Sequence, residues 1–132
     1  MDDKARAFLD KNHLAAMATL KKDGGPHVVR VGVGLVDGKL WSSGTQTRAR
    51  TGHLRKDPRS ALMVFGEAST WEWLGLETTV TILEGPDAPQ LNLRLYQELR
   101  GDPDDVDEYL QAMVDEQRLI YEFEIQRTYG TF

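Results

Sequence analysis

The chain has 132 residues, 40% hydrophobic and 28% charged, enough for one domain with its own core. It has no cysteine, which excludes a disulfide framework, a thiolate metal site and a thiol nucleophile. The net charge of −5 is uneven: residues 1–83 carry 12 basic and 9 acidic side chains, residues 84–132 carry 4 and 12. Phosphate neutralisation dominates nucleic-acid affinity, so the acidic last third argues against a nucleic acid as the main partner. No apolar run approaches the roughly 18 residues that a membrane span needs. The opening MDDKARAF does not read as a secretory leader, so a cytoplasmic location and no membrane partner are expected. His13, His27 and His53 lie far apart without H-x-x-x-H spacing, so no metal site is expected.

In chain order, Asp2 or Asp3 caps a first helix with Ala5, Phe8 and Leu9 on one face, ending near Lys11-Asn12. His13 to Leu20 reads as a buried strand closed by the turn KKDGG. Pro26 to Leu35 alternates Val29, Val31 and Val33 against Arg30, Gly32 and Gly34, which is the period of a strand. Two glycines on one face suggest a bulge or the close approach of something flat. Asp37-Gly38 turns the chain into a returning strand, Lys39 to Ser43.

A helix follows from about Gln46 to Lys56 and stops before Pro58. Arg59 to Phe65 and Trp71 to Leu83 read as strands, broken by Gly85-Pro86. Asp87 to Leu99 is a helix with Leu91, Leu95 and Leu99 on one stripe, and Pro103 starts another, carrying Val106, Tyr109, Leu110 and Met113. Arg118 to Ile125 is a last strand, with Arg127 to Gly130 as a tail. The expected fold is mainly β with helices: about six antiparallel strands in a small barrel, one domain over 1–132.

The segment from Trp41 to Arg59 concentrates Arg48, Arg50, Arg55, Lys56 and Arg59 in an acidic chain. Hydroxyl residues at a strand end, followed by a helix start bearing arginine, make an anion site: free backbone N–H groups, the helix dipole and a planar guanidinium all favour it. A solvated connector helix is the competing reading, and spacing alone does not separate the two. Arg55, Lys56 and Arg59 suit surface charge better than ligand binding.

The stretches FLDKNHLAAMATLKKDGGPHVVRVGVGLVDGKLW, SSGTQTRARTGHLRKDPRSALMVF and TWEWLGLETTVTIL, in this order, resemble the split β-barrel oxidoreductases of the pyridoxamine 5′-phosphate oxidase superfamily. Within it the chain looks most like the group that binds the deazaflavin coenzyme F420. The resemblance implies a cofactor-binding split barrel and a homodimer with sites at its interface. Its activity would be hydride transfer from reduced coenzyme F420 to a small conjugated acceptor. An FMN-binding oxidase or reductase and a non-catalytic flavin or deazaflavin carrier are the alternatives on the same fold. A haem-binding barrel is weaker, for want of a histidine ligand arrangement.

By the same resemblance, Ser42, Ser43 and Thr47 would meet the cofactor's phosphate or tail. Arg48 would bind the phosphate first and Arg50 second. Val29, Arg30 and Val31 would run along the ring, and Trp73 would cover the partner subunit's cofactor. Arg30 is the residue that keeps FMN in play. His27 is more simply a barrel-end histidine than a ligand contact. No residue is identified as a proton donor.

Overall fold

The computed structural model describes all 132 residues. Its elements are α1 (Asp3–Lys11), β1 (Leu14–Leu20), β2 (Pro26–Gly32), β3 (Gly34–Val36), β4 (Lys39–Thr45), α2 (Ala49–Lys56), β5 (Arg59–Phe65), β6 (Trp73–Leu83), α3 (Ala88–Arg100), α4 (Val106–Asp115) and β7 (Arg118–Thr131). The seven strands form one sheet in the order β2-β1-β5-β6-β7-β4-β3, and every pairing is antiparallel.

The two edge strands, β2 and β3, are halves of one bent strand. At Val33 the chain leaves β1: the Val33 N–H donates to His13 O at 2.8 Å, and from Gly34 the strand pairs with β4 instead. The sheet thus coils until its two edges are joined through the chain rather than through a ladder. A split is left between β2 and β4, crossed by Ser42 Oγ donating to Gly32 O at 2.7 Å. The bend raises the expected strand count from about six to seven. Val29, Val31 and Val33 still point inward, as the alternation predicts.

Other boundaries also move. Asp2 is the α1 cap, accepting the Ala5 N–H at 2.8 Å. Helix α2 begins at Ala49 rather than near Gln46, because Arg48 is extended at φ −66°, ψ 139°. Trp71 lies outside β6, in a turn at φ +57°. The predicted tail 127–130 continues β7, paired with the start of β6.

Helices close the barrel by burying their apolar faces. Ala5, Phe8 and Leu9 of α1 and Leu54 of α2 join the main core with Met17, Leu62, Leu76 and Tyr121. Helix α3 covers β3, β4 and β7, where Leu95 packs on Val36, Trp41 and Ile120. This explains the glycines of the bent strand. A Cβ at Gly34 would lie 3.1 Å from Leu99 Cδ2 and 3.3 Å from Leu95 Cδ1, so the body that approaches closely there is α3.

Candidate functional site

The split opens into a cleft of about 430 Å³ between the sheet and the α3–α4 hairpin. The sheet side supplies Arg30, Val31, Ser42, Ser43 and Arg118, with Arg50 from the first turn of α2. The helix side supplies an apolar and aromatic wall of Leu95, Leu99, Met113, Tyr96 and Tyr109, with Arg100 at its edge. No carboxylate lines the cleft. Four arginines converge there in a chain of net charge −5. Arg118 is paired with Glu116 at 2.9 Å; Arg30, Arg50 and Arg100 have no carboxylate partner. A second opening continues from Arg30 and Arg100 to His13 and Leu14.

Arg50 is the most unusual of the four. It is half-buried; its Nε is buried without a partner, and Nη2 reaches Ser43 O only at 3.4 Å. Its guanidinium lies 5.6 Å from the Tyr121 ring centroid. Burial lowers its pKa, and the positive charges of Arg48 and Arg118 add to the lowering, while Tyr121 opposes it. A guanidinium stays protonated regardless, so this is a partly desolvated cation without a carboxylate partner, whose charge an anion in the cleft would compensate.

The serines are disposed differently from what the resemblance implied. Ser42 Oγ gives its proton to Gly32 O, and Ser43 Oγ gives its proton to Asn92 Oδ1 at 2.5 Å. Both hydroxyl protons are therefore taken within the protein, so neither is free to donate to a ligand's phosphate oxygens.

The remaining predicted residues separate. Val31 lines the cleft, whereas Val29 packs on the core. Thr47 and Arg48 border a shallower depression beyond Arg118, where Thr47 Oγ1 lies 3.2 Å from Thr45 Oγ1 and no side chain caps α2. Trp73 is remote from its own cleft: it pairs with Thr131 and meets the Tyr129 ring edge-on at 5.8 Å. His27 also lies apart, with Nδ1 buried and unpartnered and its ring 5.0 Å from His53, which bonds Thr19 Oγ1 through Nδ1 at 2.9 Å. No group of three or more metal-ligating side chains occurs.

Sequence reasoning missed Asn92, Tyr96, Arg100, Tyr109, Arg118 and Tyr121. One signal was available for Asn92, a polar residue next to Leu91 and Leu93 in a helix whose other inward positions are apolar. Tyr109 donates its hydroxyl to Asn92 O at 3.1 Å and lies 4.8 Å from the Tyr96 ring, and burial raises its pKa.

A coiled antiparallel sheet, split beside an arginine-rich cleft, defines the class as a split β-barrel with an arginine-lined groove. The sequence pattern of the pyridoxamine 5′-phosphate oxidase family matches residues 1–132, and the chain belongs to that family of oxidoreductases. It is similar to a biliverdin reductase of Mycobacterium tuberculosis that depends on reduced coenzyme F420, 30% identical over 132 residues, covering 99% of this chain and 88% of the relative. Among solved structures it resembles a conserved hypothetical protein of Mycobacterium tuberculosis (TM-score 0.84, 20% identity, 99% of this chain and 84% of that one). It also resembles an F420 reductase (TM-score 0.77, 17% identity, 98% of each chain). These two structures support the fold.

FMN and coenzyme F420 both carry a phosphate beside a flat ring. The unmet Arg50 donor, the absence of acids and the apolar wall of α3 and α4 fit such a group. Arg50, Arg118 and Arg30 are the residues that would hold its anionic part, with Arg48 at the rim.

Proposed function

We propose that this chain is a reductase dependent on coenzyme F420, passing a hydride to a small conjugated organic acceptor. The observation that carries the reading is the under-bonded Arg50 in an acid-free cleft, on a chain 30% identical over its length to a reductase that uses this coenzyme. When bound, the reduced deazaflavin supplies the hydride. The chain's own part is to fix the anionic tail through Arg50 and Arg118, and to seat the ring against Val31 and the wall of Leu95, Leu99 and Met113. The α3–α4 hairpin limits water over that ring. Biliverdin, the acceptor named for the relative, is the first acceptor to test, ahead of quinones, nitro-aromatics and enones.

The working form we propose is a cytoplasmic homodimer. The outer face of β2, β1, β5 and β6 carries Val28, Leu14, Met63 and Phe65 in exposed positions, and no helix covers it. Arg30 points out from this face next to the cleft mouth, so pairing there would put each site beside the second subunit.

An FMN-dependent oxidoreductase on the same barrel is the second reading, favoured by Arg30, a cleft cation without a carboxylate partner. Titrating the protein with oxidised coenzyme F420 and with FMN, followed by tryptophan fluorescence, separates the two. Tight binding of FMN alone overturns the deazaflavin reading. Binding of coenzyme F420 without turnover of any acceptor class favours a non-catalytic carrier.

A further inference from the structure

We propose that Tyr121 is a positioning residue of the anion site, acting through Arg50; this rests on the reading that Arg50 takes the cofactor's anionic group. Tyr121 lies opposite Ser42 in the β4–β7 ladder and is 0% exposed, with its ring filling the space that Gly44 leaves. A side chain at Gly44 would overlap that ring, so the glycine and the tyrosine form one built feature.

The hydroxyl end is fixed as firmly. Thr51 Oγ1 donates to Thr45 O at 2.6 Å, and Tyr121 Oη lies 2.5 Å from Thr51 Oγ1. Thr51 has one proton and has given it away, so Tyr121 is the donor to Thr51. This buried chain ties the end of β4 and the first turn of α2 to β7. Arg50 precedes Thr51 on that turn, and its guanidinium lies over the ring so held. Besides a long hydrogen bond to Ser43 O, the guanidinium rests against the Tyr121 side chain, which therefore determines where the cation sits. Tyr121 thereby turns Arg50 into a preset cation at the cleft, and spares a ligand the cost of ordering a long side chain.

The test is a double-mutant cycle on ligand affinity. Dissociation constants for oxidised coenzyme F420 and FMN are measured by tryptophan quenching in the wild type, Arg50→Met, Tyr121→Leu, Tyr121→Phe and the Arg50→Met/Tyr121→Leu pair. Arg50→Met is expected to weaken binding at least about tenfold, about 1.4 kcal/mol. Tyr121→Leu should weaken it about fivefold or more in the wild type and not further in Arg50→Met, a coupling that general loosening of the barrel would not produce. Tyr121→Phe keeps the ring and should restore affinity to within about threefold of wild type. If Tyr121→Leu does not fold, Tyr121→Met, which also removes the ring face but fills more of its space, takes its place in the cycle.

Equal losses in both backgrounds, or none in Tyr121→Leu, overturn the role of Tyr121 while leaving the anion site in place. An unchanged Arg50→Met affinity overturns the anion site and the role together. If neither cofactor binds the wild type, the functional reading falls, and the cycle is read with inorganic phosphate by phosphorus-NMR line broadening. Loss of line broadening in Arg50→Met and Tyr121→Leu alike then supports the role, and its persistence in either overturns it.

Discussion

Ser43 Oγ donates to Asn92 Oδ1 at 2.5 Å, joining the end of β4 to the inner face of α3. Asn92 is 1% exposed, and its amide also donates to Ala88 O at 3.0 Å and to Leu119 O at 3.4 Å. One side chain thus holds the cleft's helical wall against its sheet floor. Removing it takes a side-chain donor from both carbonyls and leaves the Ser43 hydroxyl without its acceptor. Asn92→Ala is therefore expected to cost about 1–3 kcal/mol, whereas Ser43→Ala should cost about 1 kcal/mol. Urea denaturation checks this: the midpoint should fall in that order with an unchanged m-value. A neutral Asn92→Ala would mean that α3 is held by its apolar face alone.

The arginines of the anion segment should not be equivalent. Helix α2 starts three residues later than the sequence suggests, which places Arg48 in the extended N-cap and Arg50 inside the first turn. Arg50 alone enters the cleft, with its donor buried; Arg48 borders the outer depression in water. Arg48→Ala should weaken cofactor binding only a few-fold and chiefly at low salt, because an exposed charge is screened. Affinities at about 20 and about 200 mM salt test the ranking against Arg50→Met. A larger loss in Arg48→Ala would restore the order that the sequence suggested.

Two glycines that each lie under a tyrosine ring should respond differently to the same change. A Cβ at Gly44 meets the Tyr121 ring, which is buried and pinned by Thr51, so Gly44→Ala must move β4 or β7 and should cost about 1–3 kcal/mol or more. At Gly75 the Cβ meets the Tyr129 ring, but Tyr129 is 39% exposed and can swing outward. Gly75→Ala should change stability by under about 0.5 kcal/mol. Thermal melts of both variants decide it, and equal losses would mean that Tyr129 is not free to move.

The acid limb of stability carries one identifiable contribution. Arg55 first, then Gln46, hold the Glu84 carboxylate by hydrogen bonds and lower its pKa from an ordinary 4.5 to about 2. A depressed folded-state pKa gives stability that is present above about 4.5 and lost as pH falls through about 2. Both side chains are about two-fifths exposed, so the contribution at pH 7 stays under about 1 kcal/mol. The melting-temperature gap between wild type and Glu84→Gln should close as pH falls from 4.5 to 2. A gap of the same size at pH 7 and pH 2 would count against this ion pair.

The barrel was legible in the sequence because its signals are local: the valine alternation of residues 29–33, the Asp37-Gly38 turn and the apolar runs all reappear as read. The break at Val33 was not legible, since it depends on a carbonyl of residue 13 accepting the Val33 N–H. The cleft was half legible. Arg30, Ser42, Ser43 and Arg50 stand close to turn and strand-end signals, whereas Asn92, Tyr109, Arg118 and Tyr121 reach the site from helices and a strand more than forty residues on. Trp73 was matched to a family position by sequence, and it packs on Tyr129 and pairs with Thr131 rather than lining its own cleft.

The proposed homodimer gives the last prediction. The strand register aligns Arg30 with Ala16, Met63, Gly75 and Tyr129 in one row across β2, β1, β5, β6 and β7. Val28 leads a neighbouring row and is 62% exposed, while Trp71, 85% exposed, stands in a left-handed turn just before β6. The exposed Val28, Met63 and Phe65 of this face, interrupted by Arg30 and the Glu77–Arg127 ion pair and edged by an aromatic held in a costly conformation, fit a self-complementary contact between two copies. Met63→Glu with Phe65→Glu would bury four like charges in such a contact, two from each copy, and should convert a dimer to a folded monomer in sedimentation velocity. Cofactor affinity should fall with it, since Arg30 borders both the face and the cleft. A wild type that sediments as a monomer, or a double variant that stays dimeric, would show that this face pairs with nothing of its own kind.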